Sequence, residues 1–124
     1  MQKVVITGHD LTVDQIIAVC REGAEVVLSD ESREKILASR QVVNELVEER
    51  KVVYGITTGF GKFSDVVISQ DECKLLQKNL IITHAVGAGD PFKEDIARGI
   101  LLLRVNSLSN GFSGICLETV DRKS

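Results

Sequence analysis

Apolar positions recur at helical spacing in four stretches of this chain, separated by short β-branched runs. Thr12-Val13-Asp14-Gln15 has the form of a capping box, in which the Thr12 hydroxyl serves the N3 amide and Gln15 reaches back, with Leu11 and Ile16 placed as a hydrophobic staple. This predicts a helix over about 13–22, closed by Gly23 at C′. A second helix over about 30–50 gathers Ile36, Leu37, Val43, Leu46 and Val47 on one stripe and turns Glu34, Lys35, Arg40, Glu48 and Arg50 to water. Ser69-Gln70-Asp71-Glu72 is a further capping box and opens a helix to about 83. Asp90-Pro91 reads as an N-cap followed by proline at N1, starting a fourth helix that runs to about 109 and closes at Asn110-Gly111. The runs Lys3 to Ile6, Glu25 to Leu28 and Asp65 to Ile68 suit a small ribbon, so strands are accessory. The expected class is α+β, mainly α: a helical domain with a small β-ribbon.

The fourth helix does not have the pattern of a surface helix. Ile100, Leu101, Leu102, Leu103, Val105 and Leu108 make it apolar nearly all round, interrupted by Arg104 and Asn106. Such a helix needs cover on every side. It reads either as a tight core helix in a small bundle or, since three short helices and a ribbon offer little cover, as a helix that further chain or other subunits should bury, and the second is the expectation.

Composition narrows the class. At 124 residues, 44% of them hydrophobic and 27% charged, with a net charge of −3, the chain reads as an ordinary globular domain. No apolar run approaches the roughly 18–20 residues of a membrane span, and the start lacks a signal-peptide core. Without a long basic run there is no electrostatic case for nucleic acid. Cys20, Cys73 and Cys116 are odd in number and far apart, which points to free thiols in a reducing, cytoplasmic setting. No His, Cys, Asp or Glu spacing makes a metal site.

The chemistry concentrates in two glycine-containing segments. The first is Val53-Tyr54-Gly55-Ile56-Thr57-Thr58-Gly59-Phe60-Gly61-Lys62, dense enough in glycine to fold closely around a ligand. A phosphate loop fails here, because Ile56 stands where the Walker pattern needs glycine and Phe63 where it needs Ser or Thr. Tyr54 is the only tyrosine. Composition alone favours a half-buried ring with a hydrogen-bonded hydroxyl. The functional alternative is a phenolate base; a phenol ordinarily titrates near about 10, so cations or amide dipoles would have to favour its ionised form. The second segment, Asn79 to Gly89, ends an apolar helix at His84. That histidine either favours the negative helix end or presents its ring to a pocket. His9 lies in a polar turn.

The segments Tyr54 to Gly61, Asn79 to Gly89, and Leu103 to Leu108 with Gly111-Phe112-Ser113-Gly114-Ile115 resemble three successive motifs of the aromatic amino-acid ammonia-lyases, in order and over nearly the whole chain. The resemblance implies the N-terminal domain of the ammonia-lyase (fumarase/aspartase-like) fold over 1–110, with 111–124 as the start of a central helical domain. It makes Tyr54 the catalytic tyrosine that takes the substrate β-proton, and Gly55, Thr57, Gly59, Phe60 and Gly61 the active-site loop. It places the family's specificity pair at Thr83-His84, where histidine-acting members resemble Ser-His, tyrosine-acting members His-Leu and phenylalanine-acting members Phe-Leu. His84 is thus expected to hydrogen-bond a substrate imidazole, one ring nitrogen accepting and the other donating. Departures from the pattern are Thr57 where Asn is usual, Val86 and Ala88 in the glycine turn, and Cys116 where Arg is common.

The family's electrophile is a methylidene-imidazolone formed from an internal Ala-Ser-Gly. This chain has no such triplet; Ala38-Ser39-Arg40 is the nearest approach. The expectation is an N-terminal portion of a lyase converting L-histidine to urocanate, inactive alone, whose parent is a homo-oligomer with sites built from several subunits. Leu117 to Val120 resembles the start of the family's next helix, which the polar Asp121 to Ser124 stops after about two turns. The rivals are a shortened non-enzymatic paralogue acting as an interaction module, and part of a lyase or aminomutase for another aromatic amino acid.

Overall fold

The computed structural model describes residues 2–54, 56, 58 and 69–123. In chain order its elements are β1 (Lys3–Ile6), α1 (Val13–Glu22), β2 (Glu25–Leu28), α2 (Asp30–Glu48), α3 (Gln70–His84), α4 (Glu94–Leu108) and α5 (Leu117–Lys123). Two compact units emerge, one comprising Met1–Gln41 with Pro91–Ser124 and the other Val42–Asp90.

In the first unit β1 and β2 pair in parallel, Lys3 opposite Glu25 through Ile6 opposite Leu28. Parallel neighbours need a crossover, and α1 provides it. Both signals that bound α1 in the sequence are present: Thr12 Oγ1 accepts from Gln15 N at 3.2 Å, Gln15 Oε1 accepts from Thr12 N at 3.0 Å, and Gly23 closes the helix in the left-handed region. On β1 the period of two sends Val4 and Ile6 inward while Lys3 and Val5 face out. They join Leu28, Ile36 of α2, Leu102, Val105 and Leu108 of α4, and Val120 of α5 in one buried core.

Helix α2 stops at Glu48, two residues before the expected end, and Arg50 turns the chain with φ +53°. Its apolar stripe is narrower than the pattern suggested. Ile36 is buried but Leu37 is 53% exposed, because neighbours on a helix point about 100° apart and only one can face this core. Arg40, expected in water, is half-buried. Its guanidinium donates to the Gly114 carbonyl at 3.3 Å, while Ser39 Oγ accepts from the Gly114 amide at 2.9 Å. Gly111 reaches α2 just as closely: it has φ +75°, and a Cβ there would lie 2.6 Å from Lys35 Cβ and 2.8 Å from the Lys35 carbonyl oxygen. Only glycine fits that approach.

Helix α4 begins at Glu94, later than the Asp90-Pro91 signal suggested, and its N-cap Lys93 makes no side-chain cap bond. Acidic residues in the first turn take over that role. Asp95 accepts from Ile96 N at 2.9 Å and pairs with Arg21 of α1 at 3.3 Å, and Glu94 pairs with Arg98 at 2.7 Å. The polar break at Asn106 has a structural use, since its Oδ1 accepts from Gly8 N at 3.2 Å while Asn110 Nδ2 donates to Gly8 O at 3.0 Å. These bonds tie the end of α4 to the turn after β1. The remaining apolar faces of α4 stay uncovered, with Ile96, Ile100, Leu101 and Leu103 between 45% and 52% exposed.

The second unit carries the last turns of α2, a turn at Val53–Ile56 and α3. The Ser69 capping box forms, Ser69 Oγ accepting from Glu72 N at 3.3 Å and Glu72 Oε2 from Ser69 N at 3.1 Å. Among the described residues only Thr58 and Cys73 are buried here, whereas Leu75, Ile81 and Ile82 are 57–70% exposed. The run Asp65 to Ile68 lies outside the described residues.

Candidate active site

The site residues suggested by the sequence fall in the 42–90 unit. Tyr54 stands in the turn closed by Ile56 N donating to Val53 O at 3.1 Å, and its ring is 62% exposed. The half-buried tyrosine favoured by composition is therefore not what forms. Gly55, Thr57, Gly59, Phe60 and Gly61 lie outside the described residues.

Cys73 supports this turn from α3. Its Sγ donates to the Ile56 carbonyl at 3.8 Å, and burial, reinforced by the neighbouring Glu72 charge, pushes its thiol pKa up. A thiol held neutral is a poor nucleophile, so Cys73 is a packing residue. All three cysteines are free. Nearby, an exposed ion pair of Lys51 with Glu49 at 2.8 Å raises the lysine pKa. No group of three His, Cys, Asp or Glu gathers for a metal among the described residues. None of their helices is long and apolar enough to cross a membrane.

His84 is the last residue of α3, followed by the exposed run Ala85 to Asp90. Its Nδ1 lies 2.9 Å from the Leu80 carbonyl and 3.1 Å from Thr83 Oγ1, while Thr83 Oγ1 donates back to Asn79 O at 2.9 Å or Leu80 O at 3.2 Å. A histidine serving the helix end and a histidine presenting its ring were alternatives in the sequence. Nδ1 serves the helix end, and Nε2 has no partner among the described residues. The Leu80 contact was not anticipated, although the i, i−4 spacing on a helix could have revealed it.

The sequence pattern of the family described as "Aromatic amino acid lyase" matches residues 11–123. The chain belongs to that family. It is 55% identical over 121 residues to the histidine ammonia-lyase of Caldanaerobacter subterraneus subsp. tengcongensis, which covers 98% of this chain and 24% of the relative. It is 57% identical over 120 residues to the histidine ammonia-lyase of Alkaliphilus oremlandii, covering 97% and 24%. The solved histidine ammonia-lyase of Trypanosoma cruzi superposes with a TM-score of 0.90 at 41% identity, over 98% of this chain and 24% of that one. The chain thus spans about a quarter of the length of the relatives it matches, and over the matched quarter it shares the fold of the solved one, mainly helical with a two-stranded sheet among the described residues.

The methylidene-imidazolone that the resemblance implies does not fit the residues present. Ala38-Ser39-Arg40 lies inside α2, where Ser39 Oγ accepts from the Gly114 amide and Arg40 holds the Gly114 carbonyl. Both side chains clasp a loop, and a helical Ala-Ser-Arg is not the required triplet.

Proposed function

We propose that this chain supplies the N-terminal portion of a histidine ammonia-lyase, which eliminates ammonia from L-histidine to give urocanate. The observation that carries the reading is 55–57% identity to histidine ammonia-lyases over nearly the whole chain. Within it the pair Thr83-His84 keeps the hydroxyl-then-imidazole order of the histidine-acting type.

In this reading Tyr54 accepts the β-proton as the substrate C–N bond breaks, and the nitrogen leaves as ammonia. An exposed ring beside a glycine-rich segment can be approached by substrate from solvent. His84 binds the substrate ring: Nε2, unoccupied by Nδ1's duties at the helix end, accepts from an imidazole N–H. The electrophile has to come from sequence outside these 124 residues. The uncovered faces of α4 suit the same arrangement, as further chain or subunits of a homo-oligomer would bury them. Free thiols suit a cytoplasmic setting.

The test is a graft in which this chain replaces the matching N-terminal quarter of the Caldanaerobacter relative, with urocanate followed by absorbance. Tyr54→Phe in the graft is expected to cut kcat by about 10²–10⁴-fold, the usual share of a positioned proton acceptor. A folded graft that retains full activity without the Tyr54 hydroxyl contradicts the assignment.

A further inference from the structure

The hydrogen bonds around His84 determine which of its nitrogens carries the proton. A backbone carbonyl only accepts, so the 2.9 Å approach of Nδ1 to Leu80 O requires the hydrogen on Nδ1. The Thr83 hydroxyl donates its one hydrogen to the Asn79 or Leu80 carbonyl, which turns an oxygen lone pair toward Nδ1 at 3.1 Å. Two acceptors therefore face one nitrogen. In the neutral ring Nε2 is left as a pure acceptor.

We infer that Thr83 is a positioning residue that holds His84 as its Nδ1–H tautomer, so that Nε2 selects ligands carrying a ring N–H donor. This rests on the histidine-binding reading of His84 and deepens it, because the residue preceding the histidine sets the polarity of the recognition. An imidazole meets such an acceptor with its N–H. A phenyl ring offers it nothing, and would leave Nε2 unpaired wherever the site is closed to water. The Thr83 hydroxyl is oriented from within its own helix, by carbonyls three and four residues back. The device is therefore complete in this chain.

The measurement is the two-bond proton–nitrogen NMR spectrum of the ¹⁵N-histidine-labelled 124-residue chain, at mildly alkaline pH where imidazole is neutral. Only His9 and His84 contribute, and His9→Gln assigns them. His84 is expected to show a protonated Nδ1 and an unprotonated Nε2. Thr83→Val should shift the tautomer ratio toward Nε2–H by about two- to tenfold, the effect of losing one ordinary hydrogen bond, and Thr83→Ser should keep the original pattern. An Nε2–H ring in the unmodified chain overturns the inference, as does a ratio unmoved by Thr83→Val. Thr83 lies on an exposed helix end, and the backbone spectrum of each variant reports whether α3 persists. In the graft, Thr83→Val should raise KM for L-histidine more than it lowers kcat. A graft inactive before any substitution counts against the histidine-lyase reading, whereas the tautomer spectrum judges Thr83 alone.

Discussion

The two units divide their tasks unequally. The unit formed by Met1–Gln41 and Pro91–Ser124 contains the buried core and the long-range clasps, among them Asn110 to Gly8, Arg40 to Gly114 and the Arg33–Asp121 pair at 3.1 Å. The Val42–Asp90 unit carries Tyr54 and His84, and its described residues bury only Thr58 and Cys73. One region is held by residues far apart in sequence. In the other, the Ser69 box, the Val53–Ile56 turn and the Thr83–His84 cluster are bonds a few residues long, and Cys73 reaches Ile56 across 17 positions. Tyr54 and His84, the candidate site residues, thus sit in the unit whose described residues bury less, and exposed segments of that kind open more readily.

Substitutions can break this contrast. The largest effect is expected from Ile36→Ala, which leaves a void in the consolidated core and should cost about 2–5 kcal/mol by urea unfolding. Gly111→Ala should follow at about 1–3 kcal/mol, since the left-handed backbone and the contact with Lys35 both resist a Cβ. In the other unit Ser69→Ala removes the box that starts α3 and should cost about 0.5–2 kcal/mol, read as faster amide exchange confined to α3. Leu75→Ala, at a 57% exposed position, should change stability by no more than about 0.5 kcal/mol. A core-sized loss at Leu75 would erase the contrast.

Cys73 adds a pH dependence. Because its thiol pKa is raised on folding, the neutral form is favoured in the folded state and the stabilisation is complete below the ordinary thiol range. It should fade as pH rises through the raised value, and Cys73→Ala should flatten that alkaline decline. A decline of equal slope in the variant would assign it to other groups.

What the sequence discloses follows the same division. Local devices are legible: both capping boxes, the Gly23 stop and the two short strands fall where the pattern puts them, because their partners are at most a few residues away. The start of α4 is misread, since Asp90-Pro91 resembles a cap while the helix relies on Glu94 and Asp95, one of which is held by Arg21 from another helix. Arg40 is misread for the same reason. Its partner Gly114 is 74 positions away, and no local pattern announces it. Tyr54 and His84 stood out as a lone tyrosine and a helix-end histidine, but only the family motifs gave them roles. The tautomer-setting contacts of Thr83 and Leu80 needed coordinates, because they depend on which way a hydroxyl and a ring turn.

On the proposed function, Tyr54 and His84 serve an electrophile that other sequence supplies. Urocanate absorbance with L-histidine, measured on the purified 124-residue chain and on the graft side by side, tests it most directly. The graft is expected to form urocanate and the chain alone none; urocanate from the chain alone would contradict the account.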